Sequence, residues 1–276
     1  MRMAQTRFGV SQRRACDVVG QHRSTQRMAA PVPPDDEAAI REHLRAFARK
    51  RPRWGWRRAA TDLRINGFQV NNKRVRRLWR DEGLRVPTKR KKKRLTGVGT
   101  HVGAMSPIAP NALWALDFQF DQTIDDRQVK LLNVIDEYTR VFLSILVDHT
   151  IYSHRVGATL ARLAVGRGRP PAFVRFDHGP EFVSHAVADW CRESGVGSVF
   201  IDPGSPWQNA WIESFNSRLR DELLNLWQFD SLLEAQVIIE DHRIDYNINR
   251  PHSAHHNLTP AEFATNWNTI NQPKAA

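Results

Sequence analysis

"LWALDFQF", residues 113–120, alternates along an extended chain, with Leu116, Phe118 and Phe120 on one side and Ala115, Asp117 and Gln119 on the other. Two apolar, β-branched runs come soon after, "VKLLNVIDEYTR" (129–140) and "VFLSILVDHT" (141–150). The period predicts three successive strands joined by short turns. Beyond them the pattern predicts a helix over about 153–165, a strand at "AFVRFD" (172–177), a helix opened by Ser184, a short strand at "GSVFI" (197–201) and a long helix over about 209–227. Three sequential strands succeeded by alternating helices and strands indicate the α/β class, a mixed sheet covered by helices.

Upstream of residue 109 the texture is helical and basic. "GVSQRRACDVVGQHRSTQR" (9–27) reads as a short helix capped at Ser11 with a basic continuation. A second helix is expected over about 36–49, with Ile40, Leu44 and Phe47 at helical spacing behind an acidic first turn. "RWGWRRAATDLRINGFQVNNKRVRRLWRDEGLRV" (53–86) reads as helix, a turn at Gly67, then a helix opened by Asn71 or Asn72. That is a helix-turn-helix, or else a helical hairpin that binds nothing. "KRKKKR" (89–94) and "LTGVGTHVG" (95–103) read as a linker able to lie along phosphates.

Charge divides the chain in the same place. Residues 1–100 hold 27 Lys and Arg against 8 Asp and Glu, whereas residues 101–276 hold 14 against 21. A basic front half points to a polyanion, of which nucleic acid is the commonest. DNA contacts are accordingly expected from Arg57, Arg58, Lys73, Arg74, Arg76 and Arg77 in the helix-turn-helix, and from Lys91, Lys92 and Lys93 in the linker. Cys16 and Cys191 lack disulfide or zinc spacing and read as buried thiols. No apolar run approaches a membrane span and the N-terminus lacks a signal-peptide core, so a cytoplasmic protein without membrane contact is expected.

Three carboxylates stand out in the back half. Asp117 lies in mid-strand, where it is either solvated or functional; Asp177 ends the fourth strand before the turn "HGPEF", as a ligand or a turn former; Glu213 lies on the long helix. On that helix Trp211, Phe215, Leu219, Leu223 and Leu226 make an apolar stripe, opposite Asn209, Glu213, Asn216, Ser217 and Arg220. Together the carboxylates supply the hard oxygen ligands that a pair of divalent metals needs in an open site.

"WALDFQFD", "LLNVIDEYTR", "FDHGPEF", "SPWQNAWIESFNSRLRDE" and "DYNINRPHSAHHNLTPAEF", in this order, resemble the OrfB-type transposases of the IS-three family of bacterial insertion sequences. Between Asp177 and Glu213 lie 35 residues, the spacing of the DDE signature shared with retroviral integrases, and the helix-turn-helix segment is also similar. The resemblance implies a ribonuclease H-like core over 109–227, a helix-turn-helix region over 1–85, a linker over 86–108 and a helical segment over 228–276. It implies Asp117, Asp177 and Glu213 as the catalytic triad binding two Mg²⁺, with Mn²⁺ able to substitute and no ATP needed. It also implies binding of the element's terminal inverted repeats and of target DNA, strand cleavage, and strand transfer by the 3′ hydroxyl. Arg220, seven residues after Glu213, matches the family's basic position near the scissile phosphate; Arg218, on the same helix, is also expected to contact DNA. His178 stands where the family usually has Asn, and the chain, without an apolar heptad run, resembles the downstream product of a frameshifted pair. Partners implied are the upstream OrfA product, or a fusion with it, and further copies of this chain on nucleoid DNA.

Some residues keep two readings. Trp207, beside Gln208, either stacks on an unpaired base or packs the core. Asp136 and Glu137 read as structural near a turn, and His252, His255 and His256 as packing against a C-terminal helix that opens at "SLLE" (231–234) rather than as metal ligands. Two rival functions fit the same features: a non-catalytic DNA-binding regulator, and a ribonuclease H-type nuclease.

Overall fold

The computed structural model describes residues 2–28, 35–86, 105–202 and 206–271; the expected linker contacts at Lys91, Lys92 and Lys93 lie outside them. The chain divides into two units, residues 1–44 and 45–276. The first holds α1 (Arg2–Phe8), α2 (Gln12–Val19), α3 (Arg23–Arg27) and the start of α4 (Glu37–Lys50). Ser11 caps α2, accepting from the Arg14 N–H as expected, and Gly20 closes it in the left-handed conformation. Cys16 and Cys191 are buried and free.

In the second unit α5 (Trp56–Ile65) and α6 (Asn72–Asp81) form the expected pair around a turn where Gly67 takes φ 85°. Asn71, not Asn72, is the cap, its side chain accepting from the Arg74 N–H. Phe47, at the end of α4, stacks obliquely on Trp54 and edge-on against Trp79.

The sheet is β1 (Leu113–Gln122), β2 (Gln128–Asp136), β3 (Phe142–Asp148), β4 (Phe173–Phe176) and β5 (Gly197–Phe200), in spatial order β3-β2-β1-β4-β5. The first three strands pair antiparallel; β4 pairs parallel with β1, and β5 with β4. α7 (Ser153–Gly166) and α8 (His185–Ser194) join successive strands. Trp114, Leu116, Val174 and Phe176 of the sheet share one core with Val156, Leu160, Val187 and Trp190 of these helices.

On the other face Ala115, Leu131 and Phe142 pack with Ile212, Phe215 and Leu219 of α9 (Ala210–Leu219) and with Ile239 and Tyr246 of α10 (Leu232–Asn249). Both faces of β1 are therefore covered, and of the two readings of Asp117 the merely solvated one gives way to a partly buried side chain beneath α9. α11 (Pro260–Ile270) ends the described chain, opened by a complete capping box between Thr259 and Glu262 that the sequence reading missed. At "SLLE" Ser231 does cap α10, but the Glu234 carboxylate accepts from the Asp230 N–H instead of completing the box. Among the described residues no helix is long and apolar enough to cross a membrane.

The long helix expected to 227 is interrupted. After α9 the residues Arg220–Leu224 form a π-helical turn. A wider turn shifts the helical phase of the residues after it. Leu224 is thus the buried residue, while Leu226 is exposed and Trp211, at the other end of the expected stripe, is half exposed.

Candidate active site and nucleic-acid interface

Parallel pairing of β1 with β4 sets Ala115 beside Arg175. Two residues beyond that last pair come Asp117, still within β1, and Asp177, immediately after the end of β4. The Asp117 side of β1 is the one α9 covers: the Gln119 amide donates to the Asn216 carbonyl at 3.1 Å, and the Asn216 amide donates to Asp117 Oδ2 at 2.6 Å. Asn133, opposite Asp117 on β2, donates to Asn216 Oδ1 at 2.7 Å. Glu213 precedes Asn216 by three residues, so it shares that edge of the helix.

Burial pushes the Asp117 carboxyl up to about 6, and the negative charges of Asp177 and Glu213 push it the same way, against the Phe118 N–H and the Asn216 amide. Both charges are thus close enough to be felt at Asp117. Asp177 and Glu213 are exposed. Asp177 serves its turn as well, Oδ1 accepting from the Gly179 N–H at 2.8 Å, so both readings of that residue hold at once. A Cβ on Gly179 would stand 3.0 Å from that same oxygen, which explains the glycine. Among the described residues no three ligating side chains are closed into a metal-sized cluster.

Arg220 is tied to the end of β1, donating to the Phe120 carbonyl and to Asp121 at 3.4 Å, with its guanidinium partly exposed. Arg218 is exposed and, among the described residues, has no acidic partner. Gln208 is used within its own loop, bonded to the Asp202 N–H and carboxylate, both at 2.9 Å. Trp207 belongs to the short 3-10 turn Pro206–Asn209; its side chain is outside what is described.

Along α6 the side chains of Lys73, Arg76, Arg77 and Arg80 recur at helical spacing on one face, beside Trp56 and Arg85 around an open groove. Arg74 lies to the side of that groove, partly buried. Arg57 is exposed, lying 4.9 Å from the Trp56 ring.

Arg58 does something the sequence reading missed. Its Nη1 donates to Glu222 Oε1 at 3.1 Å, Trp54 Nε1 donates to Oε2 at 3.0 Å, and Arg250 donates twice to the same carboxylate, at 2.7 and 3.0 Å. Burial alone would raise the Glu222 carboxyl, but Arg250, Arg58 and Trp54 together hold it at about 2. Glu222 lies within the π-turn, and nothing in the residue pattern announces such a turn. Asp136 and Glu137 are structural as expected. Asp136 accepts from the Asn111, Tyr138 and Thr139 N–H groups, and Glu137 makes a buried ion pair with Arg175 at 2.8 Å. His252 is held neutral, down to about 3 by burial and Arg250, and His255 stacks on Phe263 of α11 at 3.8 Å.

The chain matches the integrase core domain family over residues 107–206 and again over 194–260, and the HTH-like domain family over 34–92. It is 41% identical over 260 residues to the 39.2 kDa protein of insertion element IS476 from Xanthomonas euvesicatoria, covering 94% of this chain and 74% of that protein. It is likewise 41% identical over 259 residues to the 31.7 kDa protein of insertion element IS407 from Burkholderia multivorans, covering 94% and 92%. In fold it is similar to a chain of the simian T-cell lymphotropic virus intasome in complex with PP2A regulatory subunit B56 gamma. The TM-score there is 0.50 at 14% identity, covering 86% of this chain and 76% of that one. The sheet is the ribonuclease H-like core, and the preceding helices are the DNA-binding HTH-like region. The chain belongs to the OrfB-type transposases of the IS-three family of bacterial insertion sequences, polynucleotidyl transferases of the DDE transposase and retroviral integrase superfamily.

Proposed function

We propose that this transposase binds the terminal inverted repeats of its element, cuts there in a divalent-metal-dependent reaction, and joins the freed 3′ hydroxyl to target DNA, with Asp117, Asp177 and Glu213 as its catalytic and metal-binding residues. The observation that carries the reading is the placement of Asp117, in the middle of β1 and held by Asn216 of α9, with Asp177 just past the end of the neighbouring β4 and Glu213 one turn before Asn216, both near enough to help raise its pKa. Their donor set suits Mg²⁺ or Mn²⁺, being hard anionic oxygen at an open edge. Two such ions when bound would supply an activated attacking oxygen and charge compensation at the phosphate.

The chain's own residues do the rest. Asn216, braced by Gln119 and Asn133, holds Asp117 at Oδ2. The Gly179 N–H orients Asp177 in the same way. Arg220, fixed on the end of β1, brings a positive charge to the rim where a scissile phosphate would lie. The face of Lys73, Arg76, Arg77 and Arg80 is of the kind that tracks a DNA backbone, while base-reading side chains set the sequence.

Exchange of one phosphodiester for another needs no ATP. Because two ends must be brought together, the chain works as an oligomer on DNA, with the upstream OrfA product or as a fusion to it, in the nucleoid. Purified chain with Mg²⁺ and a plasmid carrying the element's ends, with and without the upstream product, tests this: released and joined ends are expected. Cleavage confined to RNA–DNA hybrids would replace the reading with a ribonuclease H-type one, and binding without nicking with a regulatory one.

A further inference from the structure

On the flank of α9 away from Glu213 lies an open cavity of about 450 Å³ whose lining includes Arg57, Arg58, Arg140, Arg218 and Arg250 around Trp211. Five guanidinium groups are gathered from four places: α5, the β2–β3 turn, α9 and the end of α10. Glu222 engages two of them, Arg58 and Arg250. Arg57, Arg140 and Arg218 have no carboxylate within ion-pair distance among the described residues, and the stretches outside those residues contain no Asp or Glu.

Arg140 carries the strongest signal. It sits in the tight turn between β2 and β3 at φ 60°, a left-handed conformation that Gly or Asn adopts more easily. A long cationic side chain kept at such a position asks for a use. Its guanidinium carbon lies 3.4 Å from the centroid of the half-exposed Trp211 ring, and its Nη1 is buried without a hydrogen-bond partner among the described residues. A buried donor of that kind is costly unless something accepts from it. Crowding is visible on Arg58 as well, which burial and the charge of Arg250 pull down to about 10.

We infer that this cavity is a phosphodiester-binding site, in which Arg140 and Arg218, stacked against and beside Trp211, grip the DNA backbone on the far side of α9 from the catalytic carboxylates. The inference rests on the transposase reading and extends it. Because Arg57 and Arg58 come from the HTH-like region and the rest from the catalytic core, one backbone seated here would touch both. The width of α9, about 10 Å with side chains, separates it from Glu213, so the same DNA can run over the helix to the carboxylates. DNA is favoured over a small anion because the mouth is wide and its rim residues Arg57, Ser214 and Arg218 are exposed.

Phosphate contacts are read from salt dependence, the logarithm of affinity falling by about 0.9 per phosphate neutralised for each decade of salt. Fluorescence anisotropy with a fluorescein-labelled random-sequence duplex, across a KCl series, is to be run on the wild type, Arg218→Gln, the double variant Arg140→Gln with Arg218→Gln, and Arg162→Gln. Arg162 is an exposed residue of α7, on the opposite face of the sheet, and corrects for net charge. Arg218→Gln is expected to lower the slope by about 1 and the double variant by about 2, with Arg162→Gln near wild type. Arg218, exposed and unpaired, can be changed without loss of folding, so its single variant decides the matter if the double variant melts early. A slope unchanged by Arg218→Gln, or lowered no further than by Arg162→Gln, overturns the site. So does inorganic pyrophosphate displacing no DNA from the wild type while binding equally to the double variant. Nicking of a plasmid carrying the element's ends, with the upstream product present, is scored alongside: nicking with unchanged slopes removes only this site, whereas absence of nicking with the slopes lowered as expected removes the catalytic reading and leaves this site standing.

Discussion

Asp117 and Glu222 are both largely buried, yet their neighbours drive them in opposite directions. Asp117 is raised to about 6 by burial and two like charges, so its ionised form weighs against the fold as pH rises through that value. In EDTA at pH 8 Asp117→Asn is therefore expected to melt a few degrees above wild type. Adding Mg²⁺ should raise the wild-type Tm and leave the variant's alone; differential scanning calorimetry checks both. Glu222 is held at about 2 against an ordinary value of 4.5. A lowered carboxyl contributes stability that is complete above the unfolded pKa and lost as pH falls toward 2. The difference corresponds to about 3 kcal/mol. Wild-type stability should thus decline between pH 5 and about 2, as measured by urea unfolding, whereas Glu222→Gln, less stable at neutral pH, should show a flatter profile over that window.

At the scale of elements the π-turn Arg220–Leu224 decides which residues face inward. Leu224→Ala is expected to cost about 2–5 kcal/mol and Leu226→Ala under about 0.5, measured by chemical denaturation. Equal effects would mean that α9 continues as an ordinary α-helix. The three-strand opening, the helices at 37–50, 56–65 and 72–81, and the Ser11 cap were legible, because alternation, helical spacing and a capping side chain are local signals; the Ser184 boundary was legible too, although that hydroxyl donates to the Glu181 carbonyl instead of capping. The π-turn was not, since its cause is tertiary: Glu222 is drawn to Trp54, Arg58 and Arg250 from distant segments. The same holds for the roof over Asp117. Alternation told which side Asp117 faces, but only strand pairing and the placement of α9 tell that this side is covered. Asn216 was visible on the polar edge of the helix, while its bond to Asp117 was not.

Across the whole molecule the charge division has a structural counterpart. Within residues 45–276, Arg51 pairs with Asp245, Arg53 with Asp221, and Trp54 and Arg58 with Glu222, so basic residues flanking and opening the HTH-like helices meet acidic residues of the core. Part of the front half's positive charge is thus spent on holding the two parts together, and the remainder, on α6 and in the arginine cavity, is turned outward. Raising salt should therefore weaken DNA binding far more than folding, since the Glu222 pairs are buried and screened little. Anisotropy and thermal melting over one KCl series check this.

The most direct measurement is single-turnover cleavage of a duplex bearing the element's terminal repeat, in Mg²⁺, by wild type and by Asp117→Asn, Asp177→Asn and Glu213→Gln separately. All three variants should bind the duplex as wild type does and cut it at background rate; a variant that is folded, bound and still cutting within about tenfold of wild type would contradict the assignment of the three carboxylates to one catalytic site.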